Sequence, residues 1–196
     1  MTSDEIYKLL LKVISSERFL KMQGLNNEIP FYICPYHCKD TKAIYKNADS
    51  LTRNLEQKGI SILTINLYDL CLGMLAERSV LDKLISKETS LQKKQLMELL
   101  VNVLDPEKYL APRIAEIIDA KAYDVLFITG VGEVYPYIRT HNILNNLHSI
   151  IKDHPAVIFF PGDYIQTNTG GSTLSLFSRL RTDKYYRAFN ILNCVD

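Results

Sequence analysis

The chain has 196 residues, of which 47% are hydrophobic, and its formal net charge at pH 7 is +1. This length suits one hydrophobic core of ordinary size, and the balanced charge argues against autonomous binding to nucleic acid or to an acidic membrane. No apolar run reaches the roughly 18 residues of a membrane span, and the acidic start of the chain is unlike a secretory signal peptide. We therefore expect a single cytoplasmic domain over residues 1–196 that makes no membrane contact.

The first third of the chain alternates helical and strand patterns. Thr2 and Glu5 fit a capping box, and apolar residues then recur at helical spacing from Ile6 to Ile14. The apolar segment 30–36 predicts a strand, residues 41–58 a helix, and residues 60–67 a second strand.

Helical patterns dominate the middle of the chain. They predict helices over residues 68–86 and 90–104, and a further helix from Pro112 to about Ala120. Asp105 before Pro106 is typical of a cap followed by proline at the first helical position. We expect these helices to form an insertion, about 68–120, between strands two and three.

Strand patterns return in the last third. Residues 124–129 predict a third strand, 133–151 a helix, 156–160 a fourth strand and 161–173 a polar loop, whereas 174–192 fit either one or two short helices or a hairpin. Strands that are apolar on both faces are typical of a parallel sheet covered by helices on each side. The predicted fold is a three-layer α/β domain with a mostly parallel sheet of about four to five strands.

A glycine turn follows the third strand, and a strand, a glycine turn and a helix in that order often hold phosphate. The turn lacks the Lys-Ser/Thr of a Walker loop, and Tyr135 stands where a dinucleotide turn needs its third glycine. Glu133 would also repel phosphate, by about 1–4 kcal/mol. We expect the N–H groups of the turn to be met by the protein's own acid, and the turn to bind no nucleotide.

The helix predicted after the turn has an apolar and a polar side. On a helical wheel, the apolar side holds Tyr137, Leu144, Leu147 and Ile151, the polar side Tyr135, Arg139, Asn142, Asn145 and Asn146, and the boundary His141 and His148. The polar side fits either an ordinary solvated face or a recognition surface, and its asparagines, which are poor helix formers, favour a use for the amides.

Other candidate sites carry weaker patterns. The cysteines of the segment Cys34–Cys38 are spaced near the zinc range but have no paired second half. Three acidic residues follow successive strands: Asp69, Glu133 and Asp163. They could hold a metal or form an acid–base pair only if the fold brought them together. The cations and tyrosines of residues 178–187 fit a solvated face better than a nucleic-acid contact. We expect no metal and no cofactor.

Taken in order, several segments resemble the BrxB family, and the likeness covers nearly the whole chain. None is diagnostic alone, but their sequence is specific: Phe19–Phe31, Asn66–Leu70, Leu104–Glu107, Thr129–Arg139, His141–Leu147, Phe159–Gly162 and Tyr185–Phe189.

BrxB is a small component of BREX, a bacterial defence system against phage that methylates host DNA. The resemblance implies that the chain acts in the cytoplasm together with an adenine methyltransferase, a large AAA-type ATPase and PglZ, an alkaline-phosphatase-like protein. It implies no established catalytic activity and no catalytic residues.

We therefore expect a non-catalytic adaptor that docks PglZ and other BREX proteins. The alternative is a degenerate nucleotide- or metal-binding enzyme that uses the turn from Gly130 to Glu133 together with Asp163. The candidate partner-binding residues lie on the turn, on the following helix and after the fourth strand: Gly130, Gly132, Glu133, Tyr135, Arg139, His141, Asn142, Asn145, Gly162 and Asp163.

Overall fold

A computed structural model describes residues 1–23, 30–166, 172–181 and 188–194. Its strands are β1 Phe31–Tyr36, β2 Ile62–Asn66, β3 Val125–Thr129, β4 Ala156–Gln166, β5 Ser172–Leu176, β6 Leu180–Arg181 and β7 Phe189–Asn190. Five of them form a parallel sheet in the order β2-β3-β4-β1-β7, while β5 and β6 extend β4 as an antiparallel ribbon. The predicted α/β fold with a mostly parallel sheet is confirmed.

Helices cover both faces of this sheet. They are α1 Ser3–Ile14, α2 Glu17–Leu20, α3 Thr41–Glu56, α4 Leu67–Glu77, α5 Leu81–Lys87, α6 Lys93–Val103, α7 Ala111–Asp119 and α8 Thr140–Leu147. Within the described ranges, no helix has both the length and the apolar character needed to cross a membrane.

Alternation along each strand divides the core into two halves. On β3, Phe127 faces the half that contains α1 and α3, whereas Leu126 and Ile128 face the half that contains α4, α7 and α8. All three side chains are fully buried. Because successive side chains of a strand point to opposite faces, apolar residues at consecutive positions require helices on both sides. The result is a three-layer domain.

Helices α4 to α7 form the predicted insertion between β2 and β3, although the helix predicted over 68–86 is two helices. Ser79 adopts a left-handed conformation with φ 57°, and the Val80 N–H returns to the Leu75 carbonyl, which ends α4. The predicted cap at Asp105 is confirmed, because its side chain accepts hydrogen bonds from the N–H groups of Glu107 and Lys108.

The polar loop predicted over 161–173 was wrong for much of its length. Strand β4 continues past the parallel sheet to Gln166 and pairs there with β5. Gly162 permits this pairing, because a Cβ atom at that position would overlap the carbonyl oxygen of Ser175. Of the two alternatives for 174–192, the hairpin is found in β5 and β6; residues 182–187 lie outside the described part of the chain.

The helix predicted from residue 133 begins only at Thr140. Residues 131–137 form consecutive turns instead, and Pro136 explains the difference. Proline has no N–H to donate, and it disfavours the helical conformation in the residue before it. The turn after β3 is therefore longer than the sequence indicated.

Candidate functional site

The candidate site lies at the carboxyl edge of the parallel sheet. The connection after β1 runs to α3 on one face of the sheet, and the connection after β3 runs to α8 on the other face. The two connections therefore part on either side of β4, which lies between β1 and β3. In open α/β sheets such a parting opens a crevice that commonly binds ligands. Here β4 continues beyond this edge, and Pro161 and the β5–β6 turn occupy the space next to the glycine turn.

Gly130 is packed against the start of the neighbouring helix. Its φ is 79°, and a Cβ atom there would overlap Asn66 Oδ1 and lie 2.9 Å from the backbone nitrogens of Leu67 and Tyr68. The same Asn66 oxygen caps α4, accepting from the Tyr68 N–H at 2.9 Å. Glycine at this position therefore lets the end of β3 meet the capped start of α4.

Gly132 is packed from the other side by the β4–β5 ribbon. A Cβ atom there would lie 2.9 Å from Pro161 Cγ and 3.1 Å from Phe177 Cε1. The Phe177 ring also meets Tyr135 edge to face, with centroids 6.3 Å apart. Protein atoms thus stand against both glycines of the turn.

A tyrosine from α3 binds the turn. The Gly130 N–H donates to Tyr45 Oη at 3.0 Å, and Tyr45 Oη donates to the Glu133 carboxylate at 2.8 Å and 3.0 Å. The expectation that the protein's own acid meets the turn N–H groups was wrong for Gly130, because the tyrosine hydroxyl stands between the two. Glu133 also lies outside any helix, so it is not the first-turn acid that the sequence indicated.

Buried Tyr36 and half-buried Tyr45 adjoin each other here. Burial raises the pKa of Tyr36 to about 12, and burial, together with Tyr36 and the Glu133 carboxylate, raises the pKa of Tyr45. Tyr36 Oη has no hydrogen-bond partner among the described residues. Its neighbour Thr41 donates to the Cys38 carbonyl at 2.7 Å, and Tyr45 donates to Glu133. Neither neighbouring hydroxyl therefore has a proton left to donate to Tyr36, although both lie close enough to oppose the rise in its pKa.

The predicted residues of α8, together with Arg139 directly before it, form a second group beyond the turn. Arg139 and Asn145 are exposed, whereas His141 and Asn142 are half-buried. Leu144 and Leu147 are buried as the helical wheel predicted. Tyr135 precedes α8 and packs on Phe177, so the polar side of the helix does not include it.

The three acids proposed as a metal site do not converge. Glu133 is bound by Tyr45, while Asp69 is exposed in the first turn of α4 and Asp163 is exposed on β4 opposite Ser175. Within the described part of the chain, no group of three or more His, Cys, Asp or Glu side chains is placed to hold a metal ion. Cys34 is buried in the strand and Cys38 is exposed beyond it, which separates the cysteines of the proposed zinc segment.

A groove of about 550 Å³ lies beside the glycine turn, and the sequence did not predict it. We call it the edge groove; its lining is His37, Cys38, Lys39, Phe177, Arg179 and Leu180. Two segments that are far apart in the chain form it, the short 3₁₀ helix Cys38–Asp40 after β1 and the turn between β5 and β6. Both segments carry other signals in the sequence, the first as part of the possible zinc segment Cys34–Cys38 and the second through the cations of residues 178–187.

Comparison with known proteins identifies one family. The family model described as "BREX protein BrxB" matches residues 63–191. A protein of the same description from Bacillus cereus (strain H3081.97) is 33% identical over 195 residues, with 94% of each chain covered. Another, from Escherichia coli O9:H4 (strain HS), is 30% identical over 179 residues, covering 91% of this chain and 86% of its own. No solved structure matches the chain.

Proposed function

The chain belongs to the BrxB family of BREX proteins, and we propose that it is a non-catalytic adaptor of a BREX phage-defence complex. In this role it docks PglZ, with the AAA-type ATPase and the adenine methyltransferase as further partners. It thereby supports host DNA methylation and phage exclusion.

The packing of the glycine turn carries this proposal. A phosphate-binding turn presents free backbone N–H groups to its ligand. At Gly130 the N–H is bound by Tyr45, and the space beside the two glycines holds Asn66 on one side and Pro161 with Phe177 on the other. A site-like edge that is filled by the protein's own residues favours a shaped docking surface over a catalytic pocket.

The docking surface that we propose consists of the turn and the exposed side of α8. Glu133, Arg139 and Asn145 are its exposed polar members. Buried Val131, Val134 and Ile138 anchor the turn between them. A surface that is held rigid before binding loses less conformational entropy when a partner docks.

Co-expression with the other BREX proteins tests the proposal. Affinity-tagged chain is expected to retain PglZ at physiological salt, and Arg139→Glu is expected to reduce that retention. A matched control is Lys121→Glu, another exposed cation, which lies just beyond α7. If wild-type chain retains no BREX protein, the adaptor role is wrong.

A further inference from the structure

The edge groove combines cations with apolar surface. Lys39 and Arg179 line it together with Phe177 and Leu180, and Leu180 is 39% exposed. Among the described residues, no carboxylate lines the groove, and neither Lys39 nor Arg179 forms an ion pair. Arg181, the next exposed residue of β6 after Leu180, adds a further positive charge.

One ring nitrogen of His37 is set as a hydrogen-bond donor. Its Nδ1 accepts the Lys39 N–H at 3.2 Å, so in the neutral ring the proton sits on Nε2. Three residues of the lining therefore carry hydrogen-bond donors, namely an ammonium, a guanidinium and an imidazole N–H, although apolar atoms make up most of the groove surface. This donor set complements carboxylate oxygens.

The groove wall at Phe177 is held in an unusual backbone conformation. Phe177 and Ser178 have φ values of 56° and 58°, a region that bulky side chains rarely adopt. The Phe177 N–H donates to the Pro161 carbonyl at 2.7 Å, and the Arg179 N–H closes the turn on the Leu176 carbonyl at 3.1 Å. Residues that are held in sparsely populated conformations cluster at functional sites, where the surrounding structure maintains them.

We propose that the edge groove binds an acidic peptide segment of a partner protein, with an aliphatic or aromatic side chain beside its carboxylates. The carboxylates meet Lys39, Arg179 and His37, and the apolar side chain rests on Phe177 and Leu180. The proposal deepens the adaptor function, because such a segment gives the partner a second contact next to the glycine turn.

The groove suits a peptide better than a nucleic acid. Nucleic-acid affinity rests on many phosphate contacts, about six to ten in strong cases, whereas among the described residues Lys39 and Arg179 are the permanent cations of this lining. Binding of single strands also uses aromatic faces that are free to stack on bases. The Phe177 ring is half-buried and already packs against Gly132 and Tyr135.

The thiol of Cys38 provides a direct test. Of the four cysteines, Cys38 alone is exposed, and burial raises the pKa values of Cys34 and Cys71 to about 12 each. Thiols that stay protonated react slowly with alkylating agents. In the full chain carrying Cys194→Ser, the alkylation rate of Cys38 therefore reports whether the groove is occupied.

The probe is a ten-residue synthetic peptide with four glutamates and two leucines, and its control carries glutamine in place of each glutamate. At about 1 mM, a concentration that detects even weak complexes, the acidic probe is expected to slow Cys38 alkylation about fivefold or more. High salt is expected to abolish this protection. An unchanged alkylation rate, or equal protection by the glutamine peptide, would overturn the proposal.

Charge reversal identifies the residues. Lys39→Glu and Arg179→Glu are each expected to weaken probe binding about tenfold, measured by fluorescence anisotropy, while Lys83→Glu on α5 leaves it unchanged. If a single-stranded oligonucleotide protects Cys38 and the acidic peptide does not, the groove is a nucleic-acid site and the proposal is wrong. Because the probe needs no BREX protein, its failure is distinct from a failure of the adaptor function, which co-purification tests.

Discussion

Tyr45 Oη donates a hydrogen bond to Glu133 Oε1 over 2.8 Å, although the two residues are 88 positions apart in the chain. The same hydroxyl accepts the Gly130 N–H, so one side chain of α3 binds both ends of the turn from Gly130 to Glu133. This links the layer of α1 and α3 to a turn whose apolar residues pack into the opposite layer.

Tyr36 and Tyr45 are neighbours, but replacing each with phenylalanine is expected to affect stability differently. Tyr45→Phe removes the partner of the Gly130 N–H and of the Glu133 carboxylate, so the free energy of unfolding is expected to fall by about 1–2 kcal/mol. Tyr36→Phe removes a buried hydroxyl that has no partner, so stability is expected to stay unchanged or rise. Urea denaturation of both variants measures the difference. A Tyr36→Phe variant that loses more stability than Tyr45→Phe would contradict this account.

The raised pKa values of Tyr36 and Tyr45 predict a loss of stability in alkaline solution. In the folded state these tyrosines hold their protons to higher pH than the ordinary value near 10. Their contribution to the free energy of unfolding is therefore fully present below about pH 10, and it is lost as pH rises through the folded-state pKa values. Unfolding free energies at about pH 9 and pH 11 are expected to differ less in the double variant Tyr36→Phe/Tyr45→Phe than in the wild type. An equal difference would show that these two groups are not responsible.

The sheet was predictable because its signal is local. Strands β1 to β4 each contain a short run of mainly apolar residues in a sheet with helices on both sides, and this pattern is visible within the strand itself, whereas β7 has only two residues, Phe189 and Asn190, and carries no such signal. The continuation of β4 was not predictable, because Pro161, Gly162 and Asp163 resemble a loop in composition. The start of α8 was missed because the apolar spacing continues across Pro136, although the proline interrupts the helix.

The place of the glycine turn at the carboxyl edge of the sheet was predictable, but its contacts were not. The turn follows directly after the apolar run of β3, so its position could be seen in the sequence, and that it binds no nucleotide stays a prediction. Tyr45 and Phe177 carry no sequence signal for their contacts with the turn, since each reaches it through tertiary packing. The edge groove likewise forms only when the segment after β1 meets the turn between β5 and β6.

Two glycines with nearly the same φ allow the cost of a left-handed backbone to be compared with the cost of a steric clash. Gly130 has φ 79° and is surrounded by Asn66, Leu67 and Tyr68, whereas Gly59 has φ 80° and nothing within 4 Å of an added Cβ. Gly59→Ala is expected to cost about 1 kcal/mol, from the left-handed conformation alone. Gly130→Ala is expected to cost about 3 kcal/mol or more, because α4 and its cap must also move. Thermal and chemical denaturation measure both, and equal losses would show that the contact with α4 contributes nothing.

A panel of nucleotides and divalent metals tests the alternative enzyme function. Since Tyr45 binds the Gly130 N–H and the acids at positions 69, 133 and 163 form no metal-holding group among the described residues, we expect no increase in melting temperature with ATP, GTP, Mg²⁺, Mn²⁺ or Zn²⁺. A ligand at 100 times its Kd would add about 2.7 kcal/mol of stability, which a thermal-shift assay detects. Stabilisation that is lost in Glu133→Gln would instead favour a binding site at the turn.

Helix α8 is expected to separate partner binding from folding. Arg139 and Asn145 are exposed, and exposed substitutions usually change stability by less than about 0.5 kcal/mol. Arg139→Ala/Asn145→Ala is therefore expected to keep its melting temperature but lose co-purification with PglZ, since an interface arginine often contributes about 2 kcal/mol or more. Leu144 is 1% exposed, so Leu144→Ala is expected to destabilise the fold by about 2–5 kcal/mol through a core cavity. Phage protection and host methylation are expected to fall together in the double variant, because both require the assembled complex. A double variant that folds, retains every partner and protects as the wild type does would show that α8 supports the fold alone.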